Sequence, residues 1–341
     1  MVQQKIFGTL PDGQEVHIFK IEAENGSYAE VLTYGATLQS LVAPDKNGKL
    51  ADIVQGFDTL EGHLLHSNYQ GQTVGRYANR IGGGGFTLNG KFYGLPADAN
   101  GVFLHSGGEF SHSLWEAEIL GEQSAALSCT SPGGAFGFPG TVRAKVVYTF
   151  DGTALTIDYF AETDAPTVLN FTNHTYWNLA GGGSILGHIL QADADFYQPV
   201  SSLLLPDCPP CPVENTPFDF RTPKAIGRDI GADAPRLRIA GGYDHHYYLK
   251  EGGAVTVTEP ESGRTLTMTT DKPGFQLYTG NFLGGRPGKG GVPLAKNSGF
   301  CLETQFAPDT PNSENAADCV FSPERPYRSR TVYRASPAGR S

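Results

Sequence analysis

The sequence predicts an all-β protein, a single large antiparallel β-sandwich, and three observations carry that expectation. From Ile6 to Val54 short apolar runs alternate with turn signals at Pro11-Asp12-Gly13, Glu24-Asn25-Gly26 and Asp45-Lys46-Asn47-Gly48, the pattern of antiparallel strands joined by hairpins. The 341 residues include 44 Gly and 23 Pro, which supply many tight connections. No segment sustains helical periodicity beyond about two turns. Strand patterns run from end to end without a composition shift, linker or repeat, so residues 1–334 are expected to form one domain. Residues 335–341 carry no strand pattern and are expected to be a frayed tail or a remnant of expression.

Taken in order, Phe86-Thr87-Leu88 and Lys91-Phe92-Tyr93 flank Asn89-Gly90, a dipeptide that accepts the two positive φ angles of a type I′ hairpin turn. Val142 to Phe150 and Ala154 to Phe160 pair across Asp151-Gly152, and Ala254 to Thr258 pairs with Thr265 to Thr269 across Pro260-Glu261-Ser262-Gly263. Partial alternation of apolar and polar residues supports both pairs. A strand is expected to enter at Thr167 and break near His174. Brief helical turns are expected near Asp58 to His63 and Thr222 to Ile230, the second capped by Thr222 with Pro223 at its first position. Gly82-Gly83-Gly84-Gly85 lacks the strand-to-helix context of a phosphate loop and reads as a flexible connection.

A chain of this length buries roughly three quarters of its unfolded surface. Lys and Arg total 25 against 35 Asp and Glu, a net charge of −10, with no cluster of five basic residues. Nucleic acid is therefore not an expected partner. The N-terminus lacks a signal-peptide core and no apolar run approaches the roughly 18 residues of a membrane span, so no membrane association and a cytoplasmic location are expected. Five cysteines fit reduced thiols. Cys208-Pro209-Pro210-Cys211 has metal or redox spacing, but no second pair or nearby His completes a zinc site, and it reads as a stiff loop.

Chemistry concentrates in short polar clusters at ends of expected strands. The stretch Asn170-Phe171-Thr172-Asn173-His174-Thr175-Tyr176-Trp177-Asn178-Leu179 mixes an imidazole with amide, hydroxyl and aromatic groups. The others are Gly75 to Ile81, Leu104-His105-Ser106-Gly107-Gly108, Tyr243-Asp244-His245-His246-Tyr247 and Phe300-Cys301-Leu302-Glu303-Thr304-Gln305. Any single one of these residues has a structural reading: a core histidine bonded to backbone, a turn carboxylate at Asp244, an arginine paired with an acid at Arg80. Together they offer imidazoles, carboxylates and a guanidinium, an inventory suited to a polyhydroxylated ring, whose hydroxyls both donate and accept and whose C–H faces stack on aromatic groups.

Seven motifs, in order, resemble those of the aldose 1-epimerase family over nearly the whole chain: Gly75-Arg76-Tyr77-Ala78-Asn79-Arg80-Ile81, Phe86 to Lys91, Leu104-His105, Asn173 to Leu179, Tyr243-Asp244-His245, Pro273 to Thr279 and Leu302-Glu303-Thr304-Gln305. The resemblance implies a galactose mutarotase-like supersandwich with an open sugar-binding cleft, and a cofactor-free, metal-free interconversion of the α and β anomers of a free hexose. On that analogy Glu303 is the general base and His174 the general acid, while His105, Asp244, Asn79, Arg80 and Gln276 bind the sugar. Ser106 departs from the family's Leu-His-Gly-Gly, and only ten positions separate His105 from Trp115, so the bordering loop is expected to differ in shape. Arg76 and His245 lie in motifs with no side-chain direction assigned, and His17, His63, His66, His112, His188 and His246 have no evident partner.

Opening a hemiacetal removes the proton of the anomeric hydroxyl and delivers one to the ring oxygen. The sequence reading sets an acid and a base on opposite sides of the scissile bond, with glutamate ionised near its usual pKa of about 4.3 and histidine poised near about 6.5. Three rivals remain at this level: a hexose 6-phosphate epimerase, which needs further basic groups at the cleft mouth; a glycoside hydrolase pairing Glu303 with Asp244; and a sugar-binding regulatory protein without turnover. The preferred aldose and the oligomeric state are not legible.

Overall fold

A computed structural model describes residues 1–65 and 68–337, and all of its strand pairs within the main sheets are antiparallel. Three sheets dominate. The first is a meander of Val2–Thr9, Glu15–Glu22, Tyr28–Leu32, Thr37–Pro44 and Leu50–Asp52. The second has nine strands, with Val142–Phe150, Ala154–Thr163 and Tyr327–Pro337 side by side near its centre. The third runs Cys211–Pro212, Ala194–Tyr197, Asp244–Leu249, Gly274–Tyr278, Cys301–Gln305.

Alternation explains the layering. In Val142–Phe150 the residues Val142, Ala144, Val146, Tyr148 and Phe150 are all buried while those between are exposed or half-buried, as period-two side chains require when one face meets a core. Thr37–Pro44 is buried on both faces up to Ala43, the mark of a strand inside the packed layers. One continuous apolar cluster joins Phe19, Ile21 and Val31 of the first sheet with Val146, Tyr148 and Ile157 of the second and Phe275, Leu277 and Leu302 of the third. Among the described residues no helix is long and apolar enough to cross a membrane.

The expected hairpins form as read: Gly85–Leu88 pairs with Lys91–Gly94 across Asn89 and Gly90 at φ 51° and 77°, and the pairs across Asp151-Gly152 and Pro260 to Gly263 are present. The helical turn near Asp58 to His63 becomes the helix Leu60–Leu65. Four readings change. Thr222 to Ile230 holds a short strand, Lys224–Ala225, then a 3-10 turn over Ile226–Arg228 with Ala225 as its cap, because Lys224 pairs with Leu190 at the edge of the nine-stranded sheet. Proline at a first helical position occurs instead in Pro235–Ala240, which follows Ala234 without a side-chain cap and is closed by Gly241 at φ 69°, a helix too short to show a period. The strand from Thr167 breaks earlier than His174: Thr167–Val168 pairs with Val320–Phe321, then Asn170 turns to Arg76 and Thr172–Asn173 pairs with Thr73–Val74.

The third change concerns the tail. Ala335, Ser336 and Pro337 continue the last strand opposite Leu266, Thr265 and Arg264, covering backbone groups that would otherwise be an open edge; residues 338–341, like His66, lie outside the described residues. Finally, Gly82 to Gly85 is a held turn. Gly82 N–H donates to Asp309 and Gly84 N–H to the carbonyl of Gly101, and a Cβ on Gly85 would stand 2.1 Å from the Tyr93 carbonyl oxygen, so close backbone approach explains the glycine there.

Candidate active site

The third sheet sets one wall of a cleft by register alone. Asp244 faces Tyr278 and Tyr278 faces Cys301; His246 faces Gln276 and Gln276 faces Glu303; Tyr248 faces Gly274 and Gly274 faces Gln305. Because alternate side chains share a face, these three rungs project together, while Tyr247, Phe275, Leu277 and Leu302 enter the core behind them.

The opposite wall comes from the middle of the chain. His174 follows the strand Thr172–Asn173, its backbone tied to Gln72 and Gly71 by bonds of 2.9 Å each. Phe103–Leu104 pairs with Arg80–Ile81; beyond that pair His105 N–H donates to the Asn79 carbonyl at 2.9 Å and Asn79 N–H donates to His105 Nδ1 at 3.1 Å. Asn79 and His105 both hold left-handed backbone, φ 68° and 50°, a conformation Asn and His tolerate better than most residues. Asn79 Oδ1 in turn accepts from Arg80 N–H at 3.0 Å and from its Nη1 at 3.3 Å, which aims the guanidinium.

The walls enclose a cavity of about 200 Å³ lined by Asn79, Arg80, His105, His174, Asp244 and Glu303 among others. His174 Nε2 lies 3.7 Å from Glu303 Oε1, and one atom each of His105, His174 and Glu303 lies within 4.8 Å of the others. Arg80 Nη2 approaches Asp244 Oδ2 at 4.0 Å. Gln276 Nε2 donates to Asp244 Oδ1 at 2.7 Å; Gln276 stands behind the lining and fixes the Asp244 carboxylate. Six of the seven residues singled out from the sequence thus line one cavity, and the seventh supports one of them.

His174 and Glu303 stand side by side in the cavity, with His174 Nε2 and Glu303 Oε1 3.7 Å apart. Their ionisation also differs from free groups. Burial pushes His174 down to about 4, and burial, then the neighbouring His174 and Arg80, pushes His105 well down. Burial and then Asp244 push Glu303 well up, opposed by Arg80. Both shifts run toward the uncharged form of each group. Hydroxyls that donate to Glu303 would favour its charged form.

The three-group cluster is a poor fit to a metal. A metal-binding histidine usually donates its second nitrogen to a carbonyl or carboxylate, whereas His105 Nδ1 accepts from Asn79 N–H. The neutral ring then carries its proton on Nε2, as a hydrogen-bond donor. Of the five cysteines all are free thiols, and Cys211 sits on the short edge strand of the third sheet.

Sequence reading missed much of the apolar lining. Tyr69 lies 4.7 Å from the His105 ring and 5.9 Å from that of His174, Tyr176 stacks on His174 at 5.0 Å, and Tyr278, Phe282 and Leu283 complete the mouth. Tyr176 and Tyr278 lay inside recognised motifs; an aromatic in the turn-rich run Asn68-Tyr69-Gln70-Gly71 was the available signal for Tyr69. Arg76 points away, into a buried web of Ser131, Pro132, Pro139, Gly140 and Glu109. His245 is packed between Tyr197 and Phe218. His63 bonds Gln39, His188 accepts from Leu179 N–H, His17 neighbours Glu15 and His112 stacks on Tyr69, so these four have structural settings. Ser106 Oγ accepts from Tyr77 N–H at 2.8 Å and donates to its carbonyl at 3.1 Å, tying the shortened loop to the Asn79 segment.

An antiparallel β-sandwich with an imidazole and a carboxylate beside a guanidinium and amides in one cleft is the architecture of a carbohydrate-active enzyme class. The sequence model of the aldose 1-epimerase family matches residues 17–334, and the chain belongs to that family: it is an isomerase acting on an aldose. It is 38% identical to a galactose mutarotase of Rattus norvegicus and 36% identical to one of Homo sapiens, each match covering 99% of both chains. An aldose 1-epimerase of Haemophilus influenzae is 37% identical over 92% of each chain. Among solved structures, an aldose epimerase homologue from C. elegans superposes with a TM-score of 0.87 at 31% identity, covering 94% of this chain and 98% of that one. A galactose 1-epimerase from Lactobacillus acidophilus shares the fold with a TM-score of 0.89 at 24% identity over 99% of each.

Proposed function

We propose that the substrate is a free aldohexose in its pyranose form and that Glu303 and His174 carry the proton transfers. The observation behind this reading is the 3.7 Å separation of His174 Nε2 and Glu303 Oε1 at the cavity wall. Glu303 as carboxylate takes the proton of the anomeric hydroxyl while His174 delivers one to the ring oxygen; the C1–O5 bond breaks and C1 becomes an aldehyde. Rotation about C1–C2 presents the other carbonyl face, and the same two groups, run in reverse, close the ring and recover their starting protons. His105, donating through Nε2, steadies the ring oxygen or a neighbouring hydroxyl. Asp244 accepts from hydroxyls, held by Gln276 and Arg80, and Arg80, aimed by Asn79, bridges two hydroxyls with its planar fork.

This reading is favoured over its rivals by where the charges go. A phosphorylated hexose calls for several cations at the cleft mouth, but the Arg76 guanidinium is committed to its buried web and Arg80 already faces Asp244. Against a glycosidase, Asp244 is anchored by Gln276 and the carboxylate nearest an acid-base partner is Glu303 beside His174. The chain is read as one domain, extended from the expected boundary at 334 to Pro337, because a single core cluster that includes Ala335 spans the three main sheets, and the free thiols and acidic charge are consistent with action in the cytoplasm. Polarimetry of freshly dissolved α-D-glucose and α-D-galactose tests the assignment and the sugar together. Glu303→Gln and His174→Asn are expected to lose most turnover; a near-wild-type rate in either overturns the role of that residue.

A further inference from the structure

The cleft-facing side of the third sheet continues inward past the cavity. On its two inner rungs, six polar atoms are buried without a hydrogen-bond partner in the protein: Nδ1 and Nε2 of His246, Oε1 of Gln276, Oε2 of Glu303, and Oε1 and Nε2 of Gln305. All four residues are at most 2% exposed. They are contiguous, because His246, Gln276 and Glu303 share one rung and Gln305 follows beside Gly274 on the next. Native proteins leave few such atoms unpaired, so their concentration behind the carboxylate calls for an explanation.

Gly274 supplies the room. A Cβ there would lie 2.5 Å from His246 Nε2, so the imidazole leans over the glycine toward the Gln305 rung. The row is closed from outside: Tyr248 Oη donates to Gln198 Oε1 at 2.8 Å, and Gln198 N–H donates to the His246 carbonyl at 2.8 Å. The orphan atoms are also complementary. Glu303 Oε2 and Gln276 Oε1 only accept, whereas Gln305 Nε2 and one protonated ring nitrogen of His246 donate. By hydrogen-bonding type, a water molecule that donates twice and accepts twice would match these four, within the two to four bonds usual for buried water.

We propose that His246 and Gln305 are positioning residues of the reaction: with Gln276 they form a closed water-binding slot behind Glu303 that hydrogen-bonds the outer carboxylate oxygen and keeps the base ionised and aimed at the anomeric hydroxyl. The inference rests on the role given to Glu303 above and names residues that role does not include. It answers a difficulty in the cleft itself, where burial and Asp244 oppose the charge of Glu303 and Arg80 supports it. His174 and His105 also face Glu303 from the far wall. Cys301, Tyr176 and Tyr278 stand nearby without carrying compensating positive charge. Donors delivered through the slot favour the carboxylate from behind.

The test is the pH profile of catalysed mutarotation, with the spontaneous rate subtracted, in the full-length enzyme. His246→Leu and Gln305→Leu are expected to move the acid limb of kcat/KM up by about one pH unit, equivalent to about tenfold less activity on that limb, with KM little changed. His246→Asn, which keeps a donor and an acceptor, is expected to restore most of the shift. Unmoved acid limbs in both leucine variants, or a His246→Asn profile like that of His246→Leu, overturn the proposal. Difference infrared spectra of wild type against Glu303→Gln at neutral pH provide a check on the intact enzyme: a carboxylate band supports the slot and a protonated carboxyl band overturns it. Full turnover in Glu303→Gln would sink the underlying role of Glu303. Lost turnover there with unmoved leucine profiles would sink the slot alone.

Discussion

Arg76 and Arg80 stand four residues apart in one motif, and their surroundings show how this fold treats buried charge in two ways. Around Arg76 the guanidinium is saturated: Nε donates to Ser131 Oγ, Nη1 to the carbonyls of Pro139 and Gly140, Nη2 to that of Pro132, with Glu109 at 3.6 Å. Around Arg80 the ionic contacts stop short. Asp244 is 4.0 Å away, the His174–Glu303 pair 3.7 Å apart, and the second oxygen of Glu303 has no protein partner. A saturated charge holds the chain together, whereas an unsaturated one leaves bonds for a ligand to complete. Strain and unpaired polar groups belong where function needs them.

The sharpest test of that contrast separates rate from stability. Glu303→Gln is expected to lower kcat by about 10² to 10⁴ while melting at or above the wild-type temperature, since it removes a carboxyl that burial disfavours as a charge. A substantial drop in melting temperature would mean that Glu303 is structural after all. Arg76→Met is expected to do the reverse, costing about 3–5 kcal/mol in chemical denaturation because it leaves Glu109 buried without its cation. Polarimetry per folded molecule should remain near wild type, and a selective loss of turnover would erase the distinction between the two regions.

A smaller effect concerns acid. Burial lowers the folded-state pKa of His63 and His188 from 6.5 to about 4. The unfolded chain therefore takes up protons first as pH falls. The contribution of each group is fully present above 6.5 and is lost as pH drops from 6.5 toward 4, at about 1.4 kcal/mol per unit per histidine. His63→Gln, which can keep the bond to Gln39, is expected to flatten the urea-unfolding slope between pH 6.5 and 4.5; an unchanged slope would show that His63 is already protonated in the folded state. At the bottom of the scale, the exposed Arg330 pairs with Asp158 at 2.6 Å, and Arg330→Ala should cost no more than about 1 kcal/mol. A larger loss would show that saturation matters even in water.

Much of this was legible in the residues. The Asn89-Gly90 hairpin formed where its φ requirements placed it, and Glu303, His174, His105, Asp244, Arg80 and Asn79 met in one cavity. Legibility failed where a neighbour distant in sequence decided the outcome. Lys224 is a strand residue because Leu190 pairs with it, and Ala335 to Pro337 are ordered because Arg264 to Leu266 lie opposite. Tyr69 and Phe282 reached the cleft through loops whose paths no local period records.

By itself the sequence determined the antiparallel all-β class and the cast of chemical groups, because period-two alternation, turn chemistry and side-chain type are local properties. Only the tertiary structure decided that Arg76 is a structural tie and Arg80 a cleft residue, that Glu303 and His174 sit side by side, and that His246 and Gln305 extend a polar row behind Glu303. Those outcomes depend on register between strands far apart in the chain and on how completely water is excluded, and burial is what shifts a carboxylic acid and an imidazole away from their ordinary ionisation.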